Sequence, residues 1–122
     1  MYELSVEDDF DAAHYLRGYT GKCERLHGHR FRVQATLRIQ HLNEIGLAYD
    51  FTVLKKHLKD VLSRFDHNPL NDTPPFDEMN PSSENVARTV YDELKDLLGG
   101  ESRALYSVTV WESPGSQVTY IP

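Results

Sequence analysis

The stretch "RFRVQATLRIQ", residues 30–40, puts Phe31, Val33, Ala35, Leu37 and Ile39 at odd positions. Arg30, Arg32, Gln34, Thr36, Arg38 and Gln40 fill the even ones. Successive side chains of a strand point to opposite faces, so this alternation dictates a strand buried on one side and wet on the other. The start of the chain carries the same signal at even positions, in Tyr2, Leu4, Val6, Phe10 and Ala12. Asp8 and Asp9 interrupt it, as a β-bulge would. Near the C-terminus, "ALYSVTVWE" and "SQVTYI" flank "SPG" and read as a hairpin.

Between these strands the apolar period changes from two to 3.6. Phe51, Leu54, Leu58, Val61, Leu62 and Phe65 recur at helical spacing, with Asp50 or Thr52 as N-cap. Val86, Ala87, Val90, Leu94, Leu97 and Leu98 repeat the pattern, with Ser82 or Ser83 as cap and Gly99-Gly100 as the stop. The intervening "DHNPLNDTPPFDEMNP" holds four prolines in sixteen residues and is expected to be an ordered loop. The order β-β-α-α-β-β, with one apolar face per strand, predicts an α+β layer: a four-stranded antiparallel sheet with two helices on one face.

At 122 residues the chain is expected to form a single domain spanning 1–122. Its size buries enough surface to stand without a disulfide or a structural metal. The lone cysteine fits a reducing compartment. "MYELSVEDDF" has neither the basic nor the apolar region of a signal peptide, and no apolar run reaches the length of a membrane span. A cytoplasmic address is expected, with no membrane partner. The net charge of −6 argues against a nucleic-acid partner. Arg17, Lys22, Arg25, Arg30 and Arg32 nevertheless crowd one stretch with only Glu24 opposing them. That cluster is either a solvated face or a site for a small anion.

The same stretch contains "CERLHGHRF", residues 23–31. His27 and His29 are in phase with Phe31 and Val33, and His14 is in phase with Phe10 and Ala12. Two neighbouring strands can thus bring three imidazoles to one point. Three neutral imidazoles suit Zn²⁺ and leave a fourth position open; the bland alternative is three ordinary histidines at a sheet end. Cys23 has three readings: a fourth ligand closing a structural site, a proton-transfer base beside the metal, or a small buried hydrophobe. Asp66 and His67 follow the first helix, where a carboxylate could fix the imidazole's tautomer and raise its basicity. Glu112 is in phase with Val108 and Val110, so its carboxylate is expected to face inward. Its partner would be a ligand's amidine- or guanidine-like edge, or a salt bridge at the strand end.

Taken in order, "FDAAH" (10–14), "CERLHGH" (23–29), "DFTVLK" (50–55), "DHNPLN" (66–71), "PSSEN" (81–85) and "VWES" (110–113) resemble the 6-pyruvoyl-tetrahydropterin synthase superfamily. The resemblance implies the tunnelling fold. It implies zinc held by His14, His27 and His29, and Cys23 as the proton-transfer residue with Asp66 and His67 completing a triad from a neighbouring subunit. Glu112 would anchor the amino-pyrimidine edge of a pterin, helped by Ser82 and Glu84; Ser82 stands where relatives often have Thr. Three subunits would close a barrel, and two trimers would stack into a hexamer. The spacing from Cys23 to His27 and His29 resembles the branch that makes 6-carboxy-tetrahydropterin from 7,8-dihydroneopterin triphosphate, in queuosine biosynthesis. The sister branch, which loses only triphosphate and keeps the side chain, is the alternative reading. A non-catalytic zinc protein is the alternative from another class.

Overall fold

A computed structural model describes residues 1–21 and 24–122. Strands β1 (Tyr2–His14) and β2 (His27–Ile39) are followed by helices α1 (Phe51–Leu62) and α2 (Ser83–Leu98), then by β3 (Leu105–Ser113) and β4 (Ser116–Tyr120). Short 3-10 turns span Leu70–Asp72 and Gly99–Ala104. The four strands form one sheet in the order β1-β2-β3-β4, every neighbour antiparallel. The predicted β-β-α-α-β-β layer is the observed fold.

The register of β1 on β2 runs unbroken from Tyr2↔Ile39 through Phe10↔Phe31 to His14↔His27. The bulge expected at Asp8 and Asp9 does not form: Asp8 keeps its place opposite Val33. It can stay in phase because its carboxylate is only half-buried, at a rim it shares with Lys59 and Ser63, and it accepts the Asp9 N–H at 2.8 Å. A polar residue at a sheet edge reaches water without disturbing the ladder. The irregularities lie elsewhere, between Thr36 and Leu37 and between Trp111 and Ser113.

On the inner face, Phe10 stacks on Phe31 with ring centroids 4.9 Å apart, and Phe65 tilts against Phe10 at 5.9 Å. Leu54 and Leu58 of α1 and Val86, Val90 and Leu94 of α2 are fully buried over this face. Each such side chain contributes on the order of 1.5–3 kcal/mol of transfer free energy. Asp50 caps α1 by accepting the Thr52 N–H at 2.8 Å, and Ser82 caps α2 by accepting the Asn85 N–H at 3.2 Å. Gly99, at φ 55°, takes the left-handed turn that ends α2. The outer face stays polar, with Arg32 stacked over Trp111 at 3.9 Å and Arg38 over Tyr106 at 3.4 Å.

The proline-rich loop is ordered, as expected, and it ties α2 to the end of β1. Leu70 and Phe76 are buried anchors. Asn71 accepts the Tyr15 N–H at 3.0 Å and donates to the Tyr15 carbonyl at 3.1 Å. Asn80 brackets Arg17 in the same two-way manner, at 2.8 and 2.9 Å. Residues 66–69 lie along the outer edge of β1, where the His67 N–H donates to the Asp11 carbonyl at 2.6 Å and Pro69 bridges Ala13. Among the described residues, no helix is long and apolar enough to cross a membrane.

Candidate metal centre

His14 closes β1 and His27 opens β2, so the antiparallel ladder sets them directly opposite each other. His29 stands two residues further along β2, on the same face. The three rings meet edge to face, with centroids 4.5 Å (His14–His27), 4.7 Å (His27–His29) and 5.5 Å (His14–His29) apart. Phe31 forms their floor, edge-on to His14 at 5.2 Å and to His29 at 5.8 Å. From β3, Glu112 reaches the same point: its Oε1 lies 3.1 Å from His14 Nε2, 3.7 Å from His27 Nε2 and 3.1 Å from His29 Nε2. His14 is 2 % exposed, whereas His27, His29 and Glu112 are 26, 28 and 29 % exposed, so the group is closed at His14 and reaches solvent at the other three.

Backbone carbonyls decide which nitrogens face inward. His14 Nδ1–H donates to the Pro81 carbonyl at 2.7 Å, and His27 Nδ1–H donates to the Arg25 carbonyl at 2.6 Å. A carbonyl can only accept, so each neutral ring carries its proton on Nδ1 and turns the Nε2 lone pair to the centre. Burial pushes the His29 imidazole below its ordinary value; the Glu112 carboxylate opposes this, and His27 and His14 add to it. Neutral rings are the ligating form. Imidazole lone pairs converging on a carboxylate oxygen repel one another unless a cation sits among them. This donor set, three imidazole nitrogens and one carboxylate oxygen, fits a divalent transition metal such as zinc.

Asp66 and His67 form a separate group with Asp11 on the outer edge of β1. Asp66 Oδ1 accepts the Asp11 N–H at 2.9 Å and lies 3.0 Å from His67 Nδ1. The Asp11 N–H, seconded by His67, holds the Asp66 carboxyl below the usual carboxylate range. His67 has φ 59° and is 76 % exposed, so the turn presents its ring outward. It lines a concavity of about 480 Å³ that also takes in His29 and Arg30. Cys23 and Lys22 lie outside the described residues.

A sequence profile described as 6-pyruvoyl tetrahydropterin synthase matches residues 3–122. The chain belongs to that family. A 6-carboxy-5,6,7,8-tetrahydropterin synthase of Synechocystis is 35% identical over 125 residues, covering 98% of this chain and 93% of its own. One of Bacillus subtilis is 34% identical over 129 residues, covering 99% and 86%. The solved 6-pyruvoyl tetrahydropterin synthase of Caenorhabditis elegans superposes with a TM-score of 0.91 at 31% identity, covering 99% of this chain and 95% of that one.

In this member of the 6-pyruvoyl tetrahydropterin synthase family, the three predicted histidines and Glu112 come together, while Asp66 and His67 pair with each other apart from them. Ser82 spends its hydroxyl oxygen on the helix cap, and Glu84 is exposed on the first turn of α2. Ser83, named from the sequence only as an alternative cap, is the serine that meets Glu112, its Oγ 3.5 Å from Oε2. Arg17 drops out of the basic cluster. Its guanidinium donates to the carbonyls of Met79, Asn71 and Phe76 at 3.2, 3.3 and 3.0 Å, so it serves the loop. Arg30 is likewise committed, to Asp11 at 3.1 Å.

Proposed function

We propose that this chain is a zinc-dependent lyase that converts 7,8-dihydroneopterin triphosphate and water to 6-carboxy-5,6,7,8-tetrahydropterin, acetaldehyde and triphosphate. The reading is carried by one observation: Nε2 of His14, His27 and His29 converges with the Glu112 carboxylate at one point that is partly open to solvent. Zinc held there would lower the pKa of the substrate's side-chain hydroxyls and polarise the carbonyl that develops from them. The names and identities of the two bacterial relatives support the carboxy product over others.

The protein's own groups divide the remaining work. Cys23 would move protons at the side-chain carbons, with His67 as its base and Asp66 holding the imidazole in one tautomer. Glu112 would accept from the amino-pyrimidine edge of the pterin, with Ser82 and Glu84 beside it. The exposure of His67 at the β1 edge suits a triad completed across a subunit boundary. So does the edge itself, because residues 66–69 pair with β1 at Asp11–Ala13 and, among the described residues, leave the outward ladder groups from Glu3 to Glu7 for another chain. A trimer or hexamer acting in the cytoplasm on the queuosine route is the assembly and setting that go with this reading.

The test is a product assay. Zinc-loaded protein is incubated with 7,8-dihydroneopterin triphosphate, the pterin is read by mass spectrometry, and acetaldehyde is measured separately. A 6-carboxy-tetrahydropterin mass with acetaldehyde is expected. A pyruvoyl product without acetaldehyde would move the chain to the sister branch, a second reading that the likeness to the Caenorhabditis elegans enzyme supports. No turnover by a protein with a full complement of zinc would leave a metal-binding protein without this activity.

A further inference from the structure

We propose that Glu112 is the fourth ligand of the metal site in the substrate-free protein, and that it must turn away from that position to meet a pterin. The inference rests on the readings proposed above, that His14, His27 and His29 hold a divalent ion and that Glu112 meets the edge of a pterin. For a tetrahedral ion with bonds of ~2.0–2.1 Å, neighbouring ligand atoms lie ~3.3–3.4 Å apart. Glu112 Oε1 stands 3.1, 3.7 and 3.1 Å from the three Nε2 atoms. Those spacings are within about 0.4 Å of what a fourth ligand would keep to the three nitrogens.

Hydrogen bonds from neutral His14 and His27 do not account for the arrangement, and His29 Nε2, at 3.1 Å, is the one ring nitrogen that no carbonyl assigns. Nδ1 carries the proton of neutral His14 and of neutral His27, because each faces a carbonyl. Their Nε2 atoms therefore have nothing to donate to the carboxylate. The second oxygen is turned to Ser83 Oγ at 3.5 Å, which leaves a single oxygen for the ion. Glu112 thus has two claims on it, the ion and a pterin edge, and one carboxylate cannot serve both in full. Because such coupling is reciprocal, a pterin that draws Glu112 away loosens the ion's shell as it binds.

Two measurements test this. In a crystal structure of the unaltered protein loaded with zinc and no pterin, a Glu112 oxygen is expected ~2.0–2.2 Å from the metal. Water in that position with Glu112 turned away would overturn the proposal without touching the three-histidine reading. In chelator competition, Glu112→Gln is expected to hold zinc about tenfold or more weakly than the unaltered protein, since even outer-shell partners cost about 10–100-fold. Equal affinities would overturn it. An unaltered protein that takes up no zinc would overturn both this inference and the metal-site reading beneath it.

Discussion

His14 Nδ1 lies 2.7 Å from the carbonyl oxygen of Pro81, so an imidazole at the end of β1 is oriented by the residue two positions before α2 begins. Ser82 stands between the two. Its side chain caps the helix through Asn85, and its carbonyl accepts the Val86 N–H at 2.9 Å. The helix N-terminus and the histidine cluster therefore share a hinge point at Pro81–Ser82.

Removing that cap should be felt at both ends. Ser82→Ala is expected to cost about 1 kcal/mol of stability, the usual worth of a serine N-cap. That corresponds to about 4 °C in melting temperature for a domain of this size. Loosening the Pro81 carbonyl should also weaken zinc binding, by about tenfold. Thermal melts of metal-free protein and chelator competition read the two effects separately. A variant that melts lower but binds zinc unchanged would uncouple the helix cap from the site.

The three histidines should respond differently to truncation. His27 and His29 sit at the open side, so His27→Ala and His29→Ala should abolish stoichiometric zinc while leaving the metal-free fold as stable as before. His14 is buried against Phe31 and satisfies the Pro81 carbonyl. His14→Ala should therefore lose zinc and, in addition, about 1–3 kcal/mol of metal-free stability through the orphaned acceptor and the void. Urea unfolding of the three metal-free variants distinguishes these outcomes. Equal midpoints for all three would mean that His14 has no structural share.

Much of this arrangement was legible in the alternation of two strands. The phase of Phe31 and Val33 carries His27 and His29, and the phase of Phe10 carries His14, so one inner face collects all three. What could not be read are the partners without a sequence signature. The carbonyls of Pro81 and Arg25 orient the rings, yet every residue has a carbonyl. Ser82 and Ser83 are adjacent and chemically alike; only the backbone turn decides that one caps α2 and the other faces Glu112. Arg17 counted toward a basic cluster because its true partners lie more than fifty residues away, on a loop whose path has no periodicity. Asp8 looked like a defect because periodicity alone does not tell a sheet's rim from its centre.

The Asp66 carboxyl should make stability depend on acidity. Its folded pKa lies below the ordinary value, chiefly because the Asp11 N–H donates to the charged form. A depressed carboxylate contributes stability that is fully present above its unfolded pKa and is lost as the pH falls through the folded value. Asp66→Asn should thus lower the urea midpoint at pH 7, and the gap to the unaltered protein should shrink steadily below about pH 4. A gap of equal size at pH 7 and at pH 3 would show that the charge of Asp66 contributes nothing to the fold.

Cys23 is where the catalytic and structural readings separate most cleanly. His14, His27, His29 and Glu112 already offer four donors around one point, enough for a tetrahedral ion without sulfur. Cys23→Ala is therefore expected to keep one zinc per chain and the assembly of the unaltered protein. Turnover of 7,8-dihydroneopterin triphosphate should fall by about 10²–10⁴, the usual share of a general acid–base group. Metal analysis of the purified variant, paired with the product assay, reads both quantities on one sample. Loss of zinc would put the thiolate in the ion's shell and push Glu112 out of it. Zinc and turnover both retained would assign the proton transfer to another group.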